Sequence, residues 1–389
     1  MAAAPSPVDL APLLRLLALA GLLALLPLAW WWLRQRGGAA SARLAALTTL
    51  TLFLTFDLIV FGSFTRLTDS GLGCPDWPGC YGAVSPWGAQ GAIDAAESAL
   101  PSGPVTVAKA WVEMIHRYLA MVVGALILVL AAASWRARAL LPHSPAWAAA
   151  TLAWVIVQGL FGKYTVTLKL YPAIVTLHLL GAMLLLALLV LQRESFRNQA
   201  LPVAAGSRLR PGVVAAVLAL LLTQVALGGW VSTNYAVLAC QGFPACNGQW
   251  WPAMDLPAGF TLLRRLGHDG AGGLLRFDAL VGIHWMHRLV AVPALAGLAW
   301  LAARLWADGA ADARRWARWL IALLLWQAAS GLSNVVLGWP IVAALAHSAG
   351  AAALVATLVT LWARLRLGQR VAQQVARPGR SETLAPAPT

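Results

Sequence analysis

The sequence predicts an all-α polytopic membrane protein: two pseudo-symmetric four-helix bundles made by parallel duplication, plus one extra N-terminal transmembrane helix. Three observations carry this. Of 389 residues, 60% are hydrophobic and only 11% charged, too few charges for an ordinary soluble surface. Nine apolar runs are long enough, at about 20 residues, to cross ~30 Å of hydrocarbon. The second half of the chain also repeats landmark residues of the first. Composition therefore excludes a cytosolic enzyme and a disordered scaffold. A net charge of +14 would suit nucleic acid, but the basic residues lie between apolar runs, so membrane lipids and no nucleic acid are the expected surroundings.

The runs fall at 11–33, 44–65, 111–134, 147–168, 173–192, 212–233, 280–303, 318–337 and 341–363. With no water to satisfy backbone N–H and C=O groups, each must be helical. The first lacks a basic leader and a small-residue cleavage site, so it is an anchor and not a signal peptide. Residues 1–43 then hold the extra helix and a cytoplasmic loop, 44–192 the N-terminal bundle, and 193–211 a cytoplasmic linker. Residues 212–363 form the C-terminal bundle and 364–389 a disordered cytoplasmic tail. Eighteen of the 28 Lys and Arg residues occupy 34–43, 136–138, 193–210, 304–318 and 364–380, all on one side of a nine-span chain, which the positive-inside rule places in the cytoplasm. The cysteine pairs Cys74/Cys80 and Cys240/Cys246 fall in the outer loops 67–110 and 234–279, where an oxidising compartment permits disulfides. The absence of an Arg/Ser-rich transit segment favours a bacterial inner membrane, with these loops periplasmic.

The duplication is explicit. Gly62 to Cys74 and Gly228 to Cys240 are both 12-residue steps, each followed by x5-Cys-x-Gly. Met114-Ile115-His116-Arg117 matches Trp285-Met286-His287-Arg288. Gln158 precedes His178, and Gln327 precedes His347, by 20 residues in both halves. Parallel repeats of this kind are related by an axis along the membrane normal.

His116, His178, His287 and His347 each lie near the outer end of a span. A lone helical histidine is ordinarily a hydrogen-bonded packing residue. Four at duplicated positions inside a membrane, where ionisable groups are costly, point to function. Two imidazoles facing across a four-helix bundle suit the two axial positions of a heme iron. Zinc would need further ligands, and no Cys or carboxylate cluster is offered at that depth. Gly124, Gly159, Gly162, Gly181, Gly331 and Gly350 would allow close helix packing or leave a slot for a flat macrocycle.

The halves differ one turn before the first histidine: Glu113 in one, His284 in the other. Glu113 suits proton transfer or stabilisation of developing positive charge, or else is an interfacial carboxylate paired with Arg117 or Lys109. Arg117 and Arg288 suit heme propionates, or snorkel to headgroups. Asp57, mid-span, is a polar contact or a proton relay. His143 and His268 lie in loops with no ligand role assigned, and His284 stays open.

The run from Thr65 to Cys80 (TRLTDSGLGCPDWPGC), then Glu113-x2-His116-Arg117, then the repeated histidines, resembles heme A synthase over roughly residues 44–363. The resemblance implies oxidation of the C8 methyl of heme O to a formyl group, giving heme A for cytochrome oxidase biogenesis. The route is successive hydroxylation and loss of water, with water as oxygen source. It implies heme O as substrate in the N-terminal bundle, with His116 and His178 as axial ligands and Glu113 as the catalytic group. Heme b, with its iron, would be held by His287 and His347. Disulfides Cys74–Cys80, redox-active or assisting substrate transfer, and Cys240–Cys246, structural, are implied too. Closing so short a loop gives modest entropic stabilisation, so shaping a loop over the pocket is the better rationale. Heme O synthase and cytochrome oxidase assembly factors are the implied partners, with a homo-oligomer one option. Two rivals remain: a di-heme cytochrome b-type electron carrier, and a transporter, which would need broken mid-membrane helices beyond the one marked by Pro293. The extra first helix and the long loop 234–279, with Trp250, Trp251 and Arg264/Arg265, depart from the simplest eight-helix pattern.

Overall fold

The computed structural model describes residues 11–141, 144–201 and 209–375. His143, Arg208, Arg377, Arg380 and residues 376–389 of the expected tail lie outside them. The described elements are helical: α1 (Ala11–Arg34), α2 (Ala40–Leu67), α3 (Gln90–Ala99), α4 (Val107–Arg136), α5 (Ala146–Thr167), α6 (Pro172–Arg197), α7 (Pro211–Thr233), α8 (Leu256–Gly259), α9 (Phe277–Asp308), α10 (Ala311–Val336) and α11 (Ile341–Val375). Among the described residues, nine of these helices are long and apolar enough to cross a membrane, as expected of a multi-pass membrane protein.

Several helices outrun their apolar stretch. α10 starts at Ala311 rather than 318, and α11 continues to Val375, so residues 364–375 are helix and not the disordered tail expected. Arginine is a good helix former, and its long stem lets the charge reach water while the backbone keeps its hydrogen bonds. Hydropathy ends where the charges begin; the helix does not.

α2, α4, α5 and α6 contact one another in a closed ring, α2–α4–α5–α6–α2, and α7, α9, α10 and α11 do the same. The rings meet through α6 with α7 and α11, and through α11 with α2. One apolar cluster crosses this seam, with Met183, Leu186 and Val190 on one side and Leu298, Leu301, Leu354 and Leu358 on the other. At the disulfide-loop end the seam is polar. Arg66 Nη2 donates to the Ser232 carbonyl at 2.6 Å, its guanidinium stacks 4.0 Å from the Tyr235 ring, and Tyr235 donates its hydroxyl to Asp69. At the opposite end Arg364 Nε meets Glu194 Oε2 at 2.8 Å.

The extra helix α1 packs mainly on α4. Leu16, Ala20 and Ala24, four residues apart, form its buried stripe, while Leu22, Leu25 and Leu26 face outward. Leu16 joins a cluster with Cys74, Cys80, Ile93 and Met114, so α1 braces the first disulfide loop. In the longer second loop Arg264 is buried and donates to Asn234 Oδ1 at 2.5 Å and to the His268 carbonyl at 3.2 Å. Burial lowers the pKa of this guanidinium. Trp250 and Trp251 are exposed.

Candidate functional site

Each histidine ring leans on a glycine of a neighbouring helix. A methyl group on Gly62 of α2 would lie 2.9 Å from His116 Cε1, and one on Gly228 of α7 would lie 3.0 Å from His287 Cε1. For Gly162 of α5 against His178 the distance is 3.6 Å, and for Gly331 of α10 against His347 it is 2.9 Å. Gly62 and Gly228 are equivalent in the duplication, and so are Gly162 and Gly331. At Gly62, Gly228 and Gly331 glycine removes the side chain that would push the ring out of place, whereas at Gly162 a methyl would make ordinary contact. Gly181 and Gly350 instead accommodate Gln158 and Gln327, while Gly124 and Gly159 meet nothing within 4 Å. Open space therefore lies beside Gly124 and Gly159.

This separates the glycines by experiment. Gly228→Ala is expected to cost about 1–3 kcal/mol through overpacking and to displace His287. Gly124→Ala should leave stability unchanged or raise it by up to about 1 kcal/mol. Thermal unfolding midpoints and bound heme measured together check this. Equal losses in both variants would show that contact with the ring is not what selects glycine.

The two imidazoles of each half, His116 with His178 and His287 with His347, lie within electrostatic range of each other. No group of three or more His, Cys, Asp or Glu that could hold a metal ion occurs among the described residues. Two imidazoles on separate helices could serve as the donor set of a heme iron and are too few for a closed protein-only metal site.

The halves differ in what holds the rings. In the first, Nδ1 of His116 and of His178 is buried with no hydrogen-bond partner, and both polar atoms of the Gln158 amide are likewise unpartnered. Phe61 stacks on the His116 ring at 6.4 Å. In the second, the Gln224 amide nitrogen lies 3.0 Å from His287 Nδ1 and donates to the His287 carbonyl at 3.0 Å. The Gln327 amide nitrogen lies 3.2 Å from His347 Nδ1, and Ser330 Oγ is also 3.2 Å away. Gln224 was missed from sequence. Its duplicate position holds Leu58, and that polar-for-apolar exchange was the available signal.

Glu113 is 3% exposed, and both its oxygens are engaged. Oε1 accepts from Arg117 Nη2 at 2.5 Å, and Oε2 accepts from the Cys74 backbone N–H at 2.7 Å. Of the two interfacial partners expected, Arg117 is used, and Lys109 turns to the Gly103 carbonyl. Arg117 also donates to the Pro78 and Gly79 carbonyls. In the second half His284 Nδ1 meets the Ala236 carbonyl at 2.9 Å, and Arg288 donates to His284 Nε2 and to the Cys240, Gly242 and Ala245 carbonyls. Both ring nitrogens of His284 thus have protein partners. Arg117 and Arg288, expected at propionates, donate to carbonyls of the two disulfide loops. Those loops are closed by Cys74–Cys80 and Cys240–Cys246, each with Cα atoms 4.9 Å apart. Asp57 is half-buried and makes no hydrogen bond among the described residues.

The chain resembles known proteins across most of its length. A family model described as cytochrome oxidase assembly protein matches residues 45–359. The heme A synthase of Shewanella oneidensis is 36% identical over 321 residues, covering 82% of this chain and 96% of that protein. That of Bradyrhizobium sp. is 29% identical over 351 residues, covering 82% and 90%. That of Halalkalibacterium halodurans is 29% identical over 247 residues, covering 62% and 75%. With the family model matched across both helix rings and all four repeated histidines, the chain belongs to the heme A synthase family of cytochrome oxidase assembly proteins.

Proposed function

We propose that the protein oxidises heme O to heme A for cytochrome oxidase assembly. Residues 44–192 form the substrate unit and residues 212–363, the pseudo-symmetric second bundle, retain a heme b. One observation carries this division: two sites on one repeated plan differ in the groups that matter. The first has Glu113 and imidazoles without hydrogen-bond partners. The second has His284 in place of the carboxylate, Gln224 beside His287 where the first has Leu58, and Gln327 in contact with His347 where its equivalent Gln158 is unpartnered. Ligating histidines are normally oriented by a hydrogen bond at the other ring nitrogen, which tightens metal binding. The Oε1 atoms of Gln224 and Gln327 are buried without partners. Turning the Gln327 amide about its last bond would offer its oxygen to His347 Nδ1–H; the Gln224 amide is held beside His287 by its own hydrogen bond to the His287 carbonyl. Such support suits a cofactor kept for the life of the protein, and its absence suits a substrate that must leave as product.

Bound in the second unit, heme b supplies one-electron redox chemistry beside the substrate unit. In the first unit His116 and His178 hold the iron of heme O and so orient the macrocycle against α4. Glu113 lies one turn from His116 on that helix. Its contacts with Arg117 and the Cys74 N–H favour the carboxylate form and so suit it to hold negative charge. Its role is to stabilise the positive charge that builds as electrons leave the methyl carbon. Arg117 and the Cys74 N–H fix that carboxylate, and the same arginine holds the loop over the outer end of the site. Two successive hydroxylations, each taking oxygen from water and each releasing two electrons and two protons to an electron acceptor outside this chain, give a geminal diol, and loss of water leaves the formyl group.

The disulfide loops face the periplasm of a bacterial inner membrane. The clustering of arginine at the other helix ends and the need of disulfides for an oxidising compartment support that orientation. Heme O synthase would supply the substrate, and cytochrome oxidase assembly factors would receive the product. The test is identification of extracted pigments, by chromatography and mass, from cells supplied with heme O. Heme A together with heme b is expected from the wild type, and no heme A from His116→Ala or His178→Ala. A purified protein with two unaltered hemes of one kind, and no formyl product, would establish the di-heme carrier instead.

A further inference from the structure

A cavity of about 620 Å³ lies where α2 and α6 of the first ring meet α10 and α11 of the second, at the ends away from the disulfide loops. That size is ordinary for small-ligand sites, roughly 300–1,000 Å³. Its arginines lie about four helical turns along α6 from His178 and nearly five along α11 from His347, away from both histidine pairs. Its walls carry Arg193, Arg315, Arg318 and Arg364 with Trp316 and Trp319. Leu52, Val190 and Ala356, further along their helices from the basic ends, give it an apolar floor.

The charges do not balance within the protein. Glu194 meets Arg364 Nε at 2.8 Å and Arg193 Nη2 at 3.0 Å, so one carboxylate serves two guanidiniums. Arg193 Nε is buried without a partner. Arg315 and Arg318 make no hydrogen bond or ion pair among the described residues. Snorkelling accounts for arginines reaching outward from helix ends. It does not account for a buried, unpartnered guanidinium nitrogen in the wall of a cavity shared by two helix rings. Guanidinium forks match phosphate oxygens, and tryptophan favours the level of lipid headgroups.

We infer that this cavity binds the phosphodiester headgroup of an anionic phospholipid, with its acyl chains running over the apolar floor. Phosphate chemistry alone would satisfy the arginines; the apolar floor and the two tryptophans assign the ligand to a lipid and not to free phosphate. A lipid seated there ties α6 to α10 and α11 at the end of the seam opposite the Arg66–Tyr235 contact.

The experiment uses the full-length, heme-loaded protein, delipidated and titrated with phosphatidylglycerol or phosphatidylcholine while retained lipid is counted by native mass spectrometry. The wild type should retain phosphatidylglycerol selectively. Removing one surface charge weakens such binding roughly fivefold, so R315Q and R318Q should each do so, and together about thirtyfold. R136Q/R138Q, which removes two charges from the same face elsewhere, should change nothing. The heme spectrum, unchanged in every variant, reports intact folding. Equal retention in the wild type and R315Q/R318Q overturns the proposal, as does equal retention of the two lipids. Inorganic phosphate displacing the lipid at matched concentration would also overturn it, since the floor would then contribute nothing.

Discussion

Replacement of His287 or His347 by alanine is expected to abolish the low-spin heme spectrum of the second unit. Each ring is set by contacts from one neighbouring helix. His287 meets Gly228 and the Gln224 amide of α7, and His347 meets Gly331, the Gln327 amide and Ser330 of α10. Removing either imidazole leaves one axial donor and a hole lined by a glycine, which no neighbour can fill. A milder change isolates the amide. Gln224→Leu installs the residue that the first half carries at the equivalent position, Leu58, with little change of volume. Loss of such an orienting hydrogen bond typically costs 10–100-fold in metal-site affinity. Heme should therefore be retained at saturating supply and lost on dilution, about 10–100-fold more readily than from the wild type. Dissociation into apomyoglobin, followed optically, measures it. Retention equal to that of the wild type would show that the amide does not support the ring, and a surviving bis-histidine spectrum in His347→Ala would remove that residue from the ligand set.

What the sequence conveyed, and what it did not, divides by distance along the chain. The nine spans were readable because a membrane helix must satisfy its backbone internally, which leaves a long apolar run as an unmistakable mark. Their ends were not, because α10 and α11 continue through arginines that hydropathy counts as an exit. The four histidines stood out because duplication repeats them at fixed steps. The partners of Glu113 did not: the Cys74 N–H is 39 residues away and belongs to a loop whose path no periodicity describes. For the same reason the loop carbonyls that Arg117 and Arg288 hold were not legible. Helix α3 went unnoticed because it is a short amphipathic element of an outer loop, anchored by Ile93 alone among its fully buried residues. Gln224 marks a different failure. Comparing the halves for what they share hides what only one of them has, and here the difference between the sites is what divides their roles.

Substitution of Glu113 by glutamine tests that division most directly. Glutamine keeps the size of the side chain and one acceptor for the Cys74 N–H, so the loop can remain docked, but the fixed negative charge is gone. Removing one preorganised electrostatic partner of a transition state typically costs about 10²–10³ in rate, and heme A formation should fall by that factor. The heme of the second unit should be unaffected, because its ligands sit on α9 and α11, which do not touch Glu113. Glu113→His goes further by giving the first unit the residue that the second carries at position 284. Histidine there brings no fixed anion, so this variant should bind heme O through His116 and His178 and accumulate it unconverted. The two variants together separate charge from packing. If glutamine is inactive and the disulfide loop has come loose, shown by new reactivity of Cys74 and Cys80 under mild reduction, the carboxylate acts as a clamp. If glutamine is inactive with the loop intact, the missing charge is the cause, and heme A at the wild-type rate in either variant would leave Glu113 without a chemical role.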